Sequence, residues 1–223
     1  IQNLVKIPDD ISDDIAAAIM LKGMTAEYLI RRTYKVMSGQ TVLFHAAAGG
    51  VGLIACQWLK AIGATVIGTV GSHEKSELAK ANGCDHTILY KEENFVDKVK
   101  AITNGKGVPV VYDSVGKDTA LQSLDCLSPL GLLVIFGNSS GNAPAIEPGS
   151  LATKGSLYVT RPTLFNYNDT REKLMESANQ VFNMVRSGKV SIKIGAQYGL
   201  KDAVQAHKDL EARKTTGCII LKP

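Results

Sequence analysis

The chain has 223 residues, 45% hydrophobic and 21% charged, with a formal net charge of +4. That length supports one large domain, or one and a half, with an ample core. It shows no apolar run of membrane-spanning length and no secretory signal, and so mild a charge gives no reason to expect nucleic acid as a partner.

Ser12 is expected to cap a helix with Ile15, Ala18 and Ile19 on its apolar face. Lys22-Gly23 reads as a break before a second helix at about 25–35, and Lys22, Arg31, Arg32 and Lys35 read as a solvated basic face. Strands are expected at 41–45, 65–70, 86–90, 108–112, 131–136 and 156–160. Helices intervene at 51–62, 73–82, 93–103 and 117–126. Such alternation predicts parallel strands joined by right-handed crossovers, hence an α/β fold with a doubly wound six-stranded sheet in the order 3-2-1-4-5-6. After Pro162 the pattern changes. Residues 164–169 are aromatic and irregular. A helix follows at 170–187 with Leu174, Ala178, Val181 and Val185 on one face, then a helix at 201–213 and a last short strand at 218–221. Four cysteines, Cys56, Cys84, Cys126 and Cys218, are scattered without a C-x-x-C pair, a usage suited to a reducing cytoplasm.

The most informative stretch follows the first strand. Set against G-x-G-x-x-G, its positions are Ala47, Gly49 and Gly52. Gly49 lets backbone approach a pyrophosphate, and Gly52 lets the helix pack closely on the strand. Ala48, Gly49, Gly50 and Val51 then bring free N–H groups and the positive end of a helix to the phosphates. A tight turn with no ligand is the bland alternative. NAD enzymes place an acid at the end of the second strand to hold the ribose hydroxyls. Here Gly71 and Ser72 stand in that place, with Lys75 one turn further on. A glycine, a hydroxyl and an ammonium accept a 2′-phosphate that a carboxylate would repel. Ser72 can also cap the following helix, and Lys75 can equally be a surface lysine. At the other end of the sheet, Ser114-Val115 and Gly137-Asn138-Ser139 follow strands four and five at their carboxyl ends, where ligands sit in open α/β sheets. They can contact a ligand or simply build the turns.

Gly39-Gln40, Leu43, Ala47-Ala48-Gly49-Gly50, Gly52, Gln57 and Lys60 resemble the signature of the NADPH quinone oxidoreductases. These zeta-crystallin-like proteins belong to the medium-chain dehydrogenase/reductase superfamily. The likeness continues through Val111 to Gly116, Phe136 to Gly141 and Gly155 to Pro162, and is greatest to the bacterial type. It implies NADPH as cofactor and hydride transfer to quinones or related electrophilic carbonyl compounds. It places Gly71, Ser72, Lys75 and Tyr90 around the 2′-phosphate. It sets Ser114, Val115, Gly137, Asn138 and Ser139 at the nicotinamide half, with Thr25 and Tyr28 nearby and Arg213 beside the cofactor; for Tyr28 a packed core aromatic is the alternative. It implies a homodimer joined through strand 155–161. Residues 1–23 would connect from a separate N-terminal catalytic domain, 24–162 form the dinucleotide-binding domain, and 163–223 return to the catalytic domain as helical remnants of it. The chain would then be a fragment lacking most of that domain.

No catalytic residue is identified. Zinc-dependent relatives carry a cysteine ligand where this chain has Leu21, and His45, His73, His86 and His207 share no ligand spacing, so no metal is expected. A short-chain dehydrogenase needs Tyr-x-x-x-Lys, and none of the seven tyrosines has a lysine four residues on. A module that binds NADPH without turnover is the alternative from another class.

Overall fold

The computed structural model of the chain describes residues 3–212 and 214–223. Six parallel strands form one sheet: β1 (Thr41–Phe44), β2 (Thr65–Val70), β3 (His86–Leu89), β4 (Val108–Asp113), β5 (Leu127–Ile135) and β6 (Tyr158–Thr160). Their order is β3-β2-β1-β4-β5-β6, as the strand–helix alternation predicts. Sheets of this kind are covered on both faces, so their strands are apolar on both sides rather than alternating with polar residues. Val42, Phe44, Val66, Val110, Tyr112 and Val134 enter one core. Their neighbours Leu43, Ile67, Val111, Leu133 and Ile135 enter the other. Each side chain of this size taken out of water contributes about 1.5–3 kcal/mol.

The first core is closed by α1 (Asp13–Tyr28), α2 (Gly50–Ile62), α3 (His73–Ala81) and, further along the chain, the helix Arg171–Arg186. The second is closed by α4 (Phe95–Ile102) and the short α5 (Ala120–Ser123), which runs on as a 3-10 turn, Leu124–Cys126. A longer helix was expected at that last position. Two further short helices, α6 (Pro148–Thr153) and α7 (Leu164–Tyr167), were not anticipated. Numbered in order, the helix Arg171–Arg186 is α8. Beyond it β7 (Ile194–Gly199), α9 (Ala203–Glu211) and β8 (Cys218–Lys222) follow, with β7 and β8 paired parallel in a separate two-stranded sheet. The tail is therefore not purely helical; its strand β7 is polar and glycine-containing and gave no apolar run to read.

The expected break at Lys22-Gly23 does not occur. Helix α1 runs through it from a Ser12 cap. Gly23 serves packing instead: a Cβ there would lie 2.7 Å from Val181 Cγ1, so the missing side chain lets α8 approach α1. The helix then passes into a π-helical turn, Leu29–Thr33. Arg32, read from sequence as part of a solvated face, is turned inward. It donates to Glu27 Oε2 at 2.7 Å, to the Tyr167 carbonyl at 2.6 Å and to Asn168 Oδ1 at 2.8 Å, while Ser177 Oγ also donates to Glu27. A buried carboxyl needs such partners, and this one ties α1 to α7 and α8.

Candidate functional site

Parallel strands put all their carboxyl ends at one edge, and the turns that leave this edge are the segments singled out above. After β1 the chain turns through Ala46, which has φ +54°. Gly49 N–H closes the turn on the Ala46 carbonyl at 2.8 Å, and α2 begins with Gly49 as its N-cap. No side chain caps this helix and no acid stands in its first turn. Its leading N–H groups therefore lack partners within the helix, which is how helices present anion sites.

The geometry explains the departure from the glycine pattern. Ala47 is fully buried, and its Cβ has room because Gly68 on β2 has no side chain: a Cβ on Gly68 would lie 2.5 Å from that of Ala47. Gly52 is obligatory on other grounds. A Cβ there would sit 2.5 Å from the Ala46 carbonyl oxygen and 2.6 Å from that of Ala47.

At the end of β2, Gly71 lies against Tyr90; a Cβ on Gly71 would come within 3.3 Å of the Tyr90 hydroxyl. Ser72 caps α3, accepting from Lys75 N–H at 3.3 Å. Gly71 and Tyr90 are thus neighbours, the Lys75 backbone is bonded to Ser72, and Tyr90 is exposed. The turns after β4 and β5 are joined: Ser139 N–H donates to the Ser114 carbonyl at 3.1 Å, and Ser140 N–H to that of Val115 at 2.9 Å. Gly137 packs so closely on Ser114 that a Cβ would be 2.7 Å from its carbonyl oxygen. Asn138 Nδ2 donates to Asn142 Oδ1 at 3.1 Å, so it helps to build its own loop.

The remaining residues differ in kind. Thr25 is half-buried on α1, its hydroxyl bonded back to the Leu21 carbonyl at 2.7 Å. Tyr28 is 2% exposed and stacked on Tyr167, ring centroids 4.6 Å apart, as a packed aromatic would be. Burial, with Tyr167 beside it and Arg161 opposing, pushes its phenol up to about 12, so it stays a proton donor. Arg213 lies outside the described residues. Asp113, the last residue of β4, and His45, directly after β1, have no assigned role in the sequence motifs, yet both are buried polar residues beside otherwise apolar runs. That interruption was the available signal. Burial holds His45 below the ordinary imidazole range, with Asp113 opposing.

A doubly wound sheet with a glycine turn opening α2, and further turns at its carboxyl edge, defines the class of dinucleotide-binding α/β proteins. Residues 50–180 match the family model described as zinc-binding dehydrogenase. The chain is 53% identical over 222 residues to a quinone oxidoreductase of Pseudomonas aeruginosa, covering all of this chain and 68% of that protein. It is 46% identical to a 2-haloacrylate reductase of a Burkholderia species, of which it also covers 68%. The structure of Escherichia coli quinone oxidoreductase complexed with NADPH superposes with a TM-score of 0.94 at 50% identity, over 98% of this chain and 68% of that one. The chain belongs to the quinone oxidoreductase family.

Proposed function

We propose that this chain is an NADPH-dependent oxidoreductase that delivers hydride to quinones or related electrophilic carbonyl compounds without zinc. The observation that carries the reading is the end of β2, where Gly71 and Ser72 stand in place of the acid of NAD enzymes, Gly71 lies against Tyr90, and Lys75 follows in the first turn of α3 after Glu74, whose charge suits the helix N-terminus. NADPH, when bound, supplies the hydride. The chain's own part is to bind and orient. The N–H groups of Ala48, Gly50 and Val51, beside the turn that Gly49 closes, receive the pyrophosphate, and Ser114, Val115, Gly137, Asn138 and Ser139 flank the nicotinamide half, with Thr25 nearby. The names of the relatives support a quinone, or an activated alkene such as a haloacrylate, as acceptor.

The donors among the described residues do not suit a catalytic zinc. Among the described residues no group of three or more His, Cys, Asp or Glu side chains is placed to hold a metal, and His45 is engaged elsewhere. Four free, buried cysteines favour a reducing cytoplasm, and no helix among the described residues is long and apolar enough to cross a membrane. We assign 24–162 to the dinucleotide domain, although α1 runs unbroken across residue 23, and 163–223 to a unit that packs on a catalytic domain. Val204 and Leu210, exposed on α9, support that packing.

Titration of NADPH fluorescence beside a quinone-reduction assay tests the reading. Saturable binding with turnover is expected; binding without turnover favours the cofactor-module alternative, and no NADPH binding defeats both.

A homodimer through β6 is also proposed. Among the described residues β6 pairs with β5 alone, and Tyr158 projects from it 59% exposed. An uncovered edge invites pairing with a second copy about a twofold axis. Tyr158→Lys is expected to convert dimer to monomer in light scattering while NADPH binding survives. A monomeric parent would rule the interface out.

A further inference from the structure

Beneath the carboxyl edge of the sheet, His45, Thr69, Asp113, Thr119 and Ser123 meet with none more than 5% exposed. Asp113 Oδ1 accepts from the N–H groups of Val115 at 2.7 Å and Gly116 at 3.0 Å. Its Oδ2 accepts from Thr119 Oγ1 at 2.7 Å, with Ser123 Oγ at 3.5 Å. Ser123 Oγ donates to the Thr119 carbonyl at 2.9 Å and lies 3.0 Å from His45 Nε2. His45 Nδ1 is 2.9 Å from Thr69 Oγ1, which accepts from Ala46 N–H at 3.3 Å.

One proton arrangement satisfies every group. Thr69 donates to His45 Nδ1, His45 Nε2–H donates to Ser123, and Ser123 donates onward to the Thr119 carbonyl. Neutral imidazole is required, in keeping with its burial. The chain of bonds links the glycine turn after β1, the end of β2 and the turn after β4. Through the Ser114 and Val115 carbonyls it also reaches the turn after β5. Four strand ends are thus tied together, three of them by side chains no more than 5% exposed.

We propose that Asp113, supported through Thr119 and Ser123 by His45, is a positioning residue: it fixes the 114–116 turn, and with it the nicotinamide half of the cleft, relative to the glycine turn. Gly116 has φ +88° and its N–H points back to the carboxyl group, so the turn's shape depends on that acceptor. The inference rests on the NADPH reading above, and two probes separate the halves of the cleft. NADPH spans both halves. Adenosine 2′,5′-bisphosphate carries only the adenosine with its 2′-phosphate and first 5′-phosphate.

Both are titrated against the 223-residue chain and its variants. Asp113→Ala is expected to weaken NADPH about tenfold and the bisphosphate less than about twofold, the lost turn contacts amounting to about one hydrogen bond to a charged group. Asp113→Asn keeps an acceptor for Val115 and Gly116, and is expected to recover NADPH binding to within about threefold of the parent. Unchanged NADPH binding in Asp113→Ala, equal loss of both ligands, or no recovery by asparagine would overturn the role. Should Asp113→Ala fail to fold, Thr119→Val removes one donor without changing shape. It is then expected to weaken NADPH selectively by about threefold, and an unchanged ratio overturns the proposal. A parent that binds neither probe overturns the NADPH reading itself.

Discussion

Replacing Gly49 with valine is expected to lower NADPH affinity on the order of 100-fold, about 2.7 kcal/mol, while circular dichroism stays native. The backbone is not the obstacle. Gly49 has φ −78° and ψ 169°, which any residue adopts, and a Cβ would approach only the Ala46 carbonyl oxygen, at 3.1 Å. That contact yields with a shift of a few tenths of an ångström. The isopropyl group would instead stand over the free N–H groups at the start of α2, where the pyrophosphate must come within hydrogen-bond distance of backbone. Gly52 offers the contrasting case, because a Cβ there meets two carbonyl oxygens at 2.5 and 2.6 Å and the fold itself must shift. Normal NADPH binding by Gly49→Val would make the turn a purely structural one.

Lys75→Glu is expected to weaken NADPH by about 1–3 kcal/mol and leave NADH nearly unchanged. Lys75 lies in the first turn of α3, its N–H bonded to Ser72 Oγ, shortly after the end of β2 where Gly71 meets Tyr90. Losing an ammonium costs a charge-assisted contact to the 2′-phosphate, and the new carboxylate adds repulsion. NADH has no such phosphate. Dissociation constants for the two cofactors, measured on the same preparation, decide the matter: equal losses would remove Lys75 from the 2′-phosphate site.

Much of the sheet was legible because burial on both faces leaves a simple record. Runs such as Val42-Leu43-Phe44 and Val110-Val111-Tyr112 are apolar at every position, and the amphipathic stretches between strands are long enough for crossovers and too long for hairpin turns. The Ser72 cap was equally readable, since a hydroxyl before a helix has few other tasks. Gly23 misled because glycine at a helix break and glycine at a close helix contact look alike in sequence; Val181, remote in the chain, tells them apart. Arg32 looked like a surface cation for the same reason, its partners Tyr167 and Asn168 being remote in the chain.

By itself the sequence determined the class of fold, the strand order, the glycine turn and the absence of an acid after β2. These are local properties: a periodicity, a turn composition, a residue missing at a set distance. Tertiary structure alone decided why Ala47 replaces a glycine, which is that Gly68 on the next strand vacates the space. It alone turned Tyr28 into the core against Tyr167 and gathered His45, Thr69, Asp113, Thr119 and Ser123 under four strand ends. Each of those outcomes depends on which distant residue fills a given volume or accepts a given proton, and only the packed chain settles that.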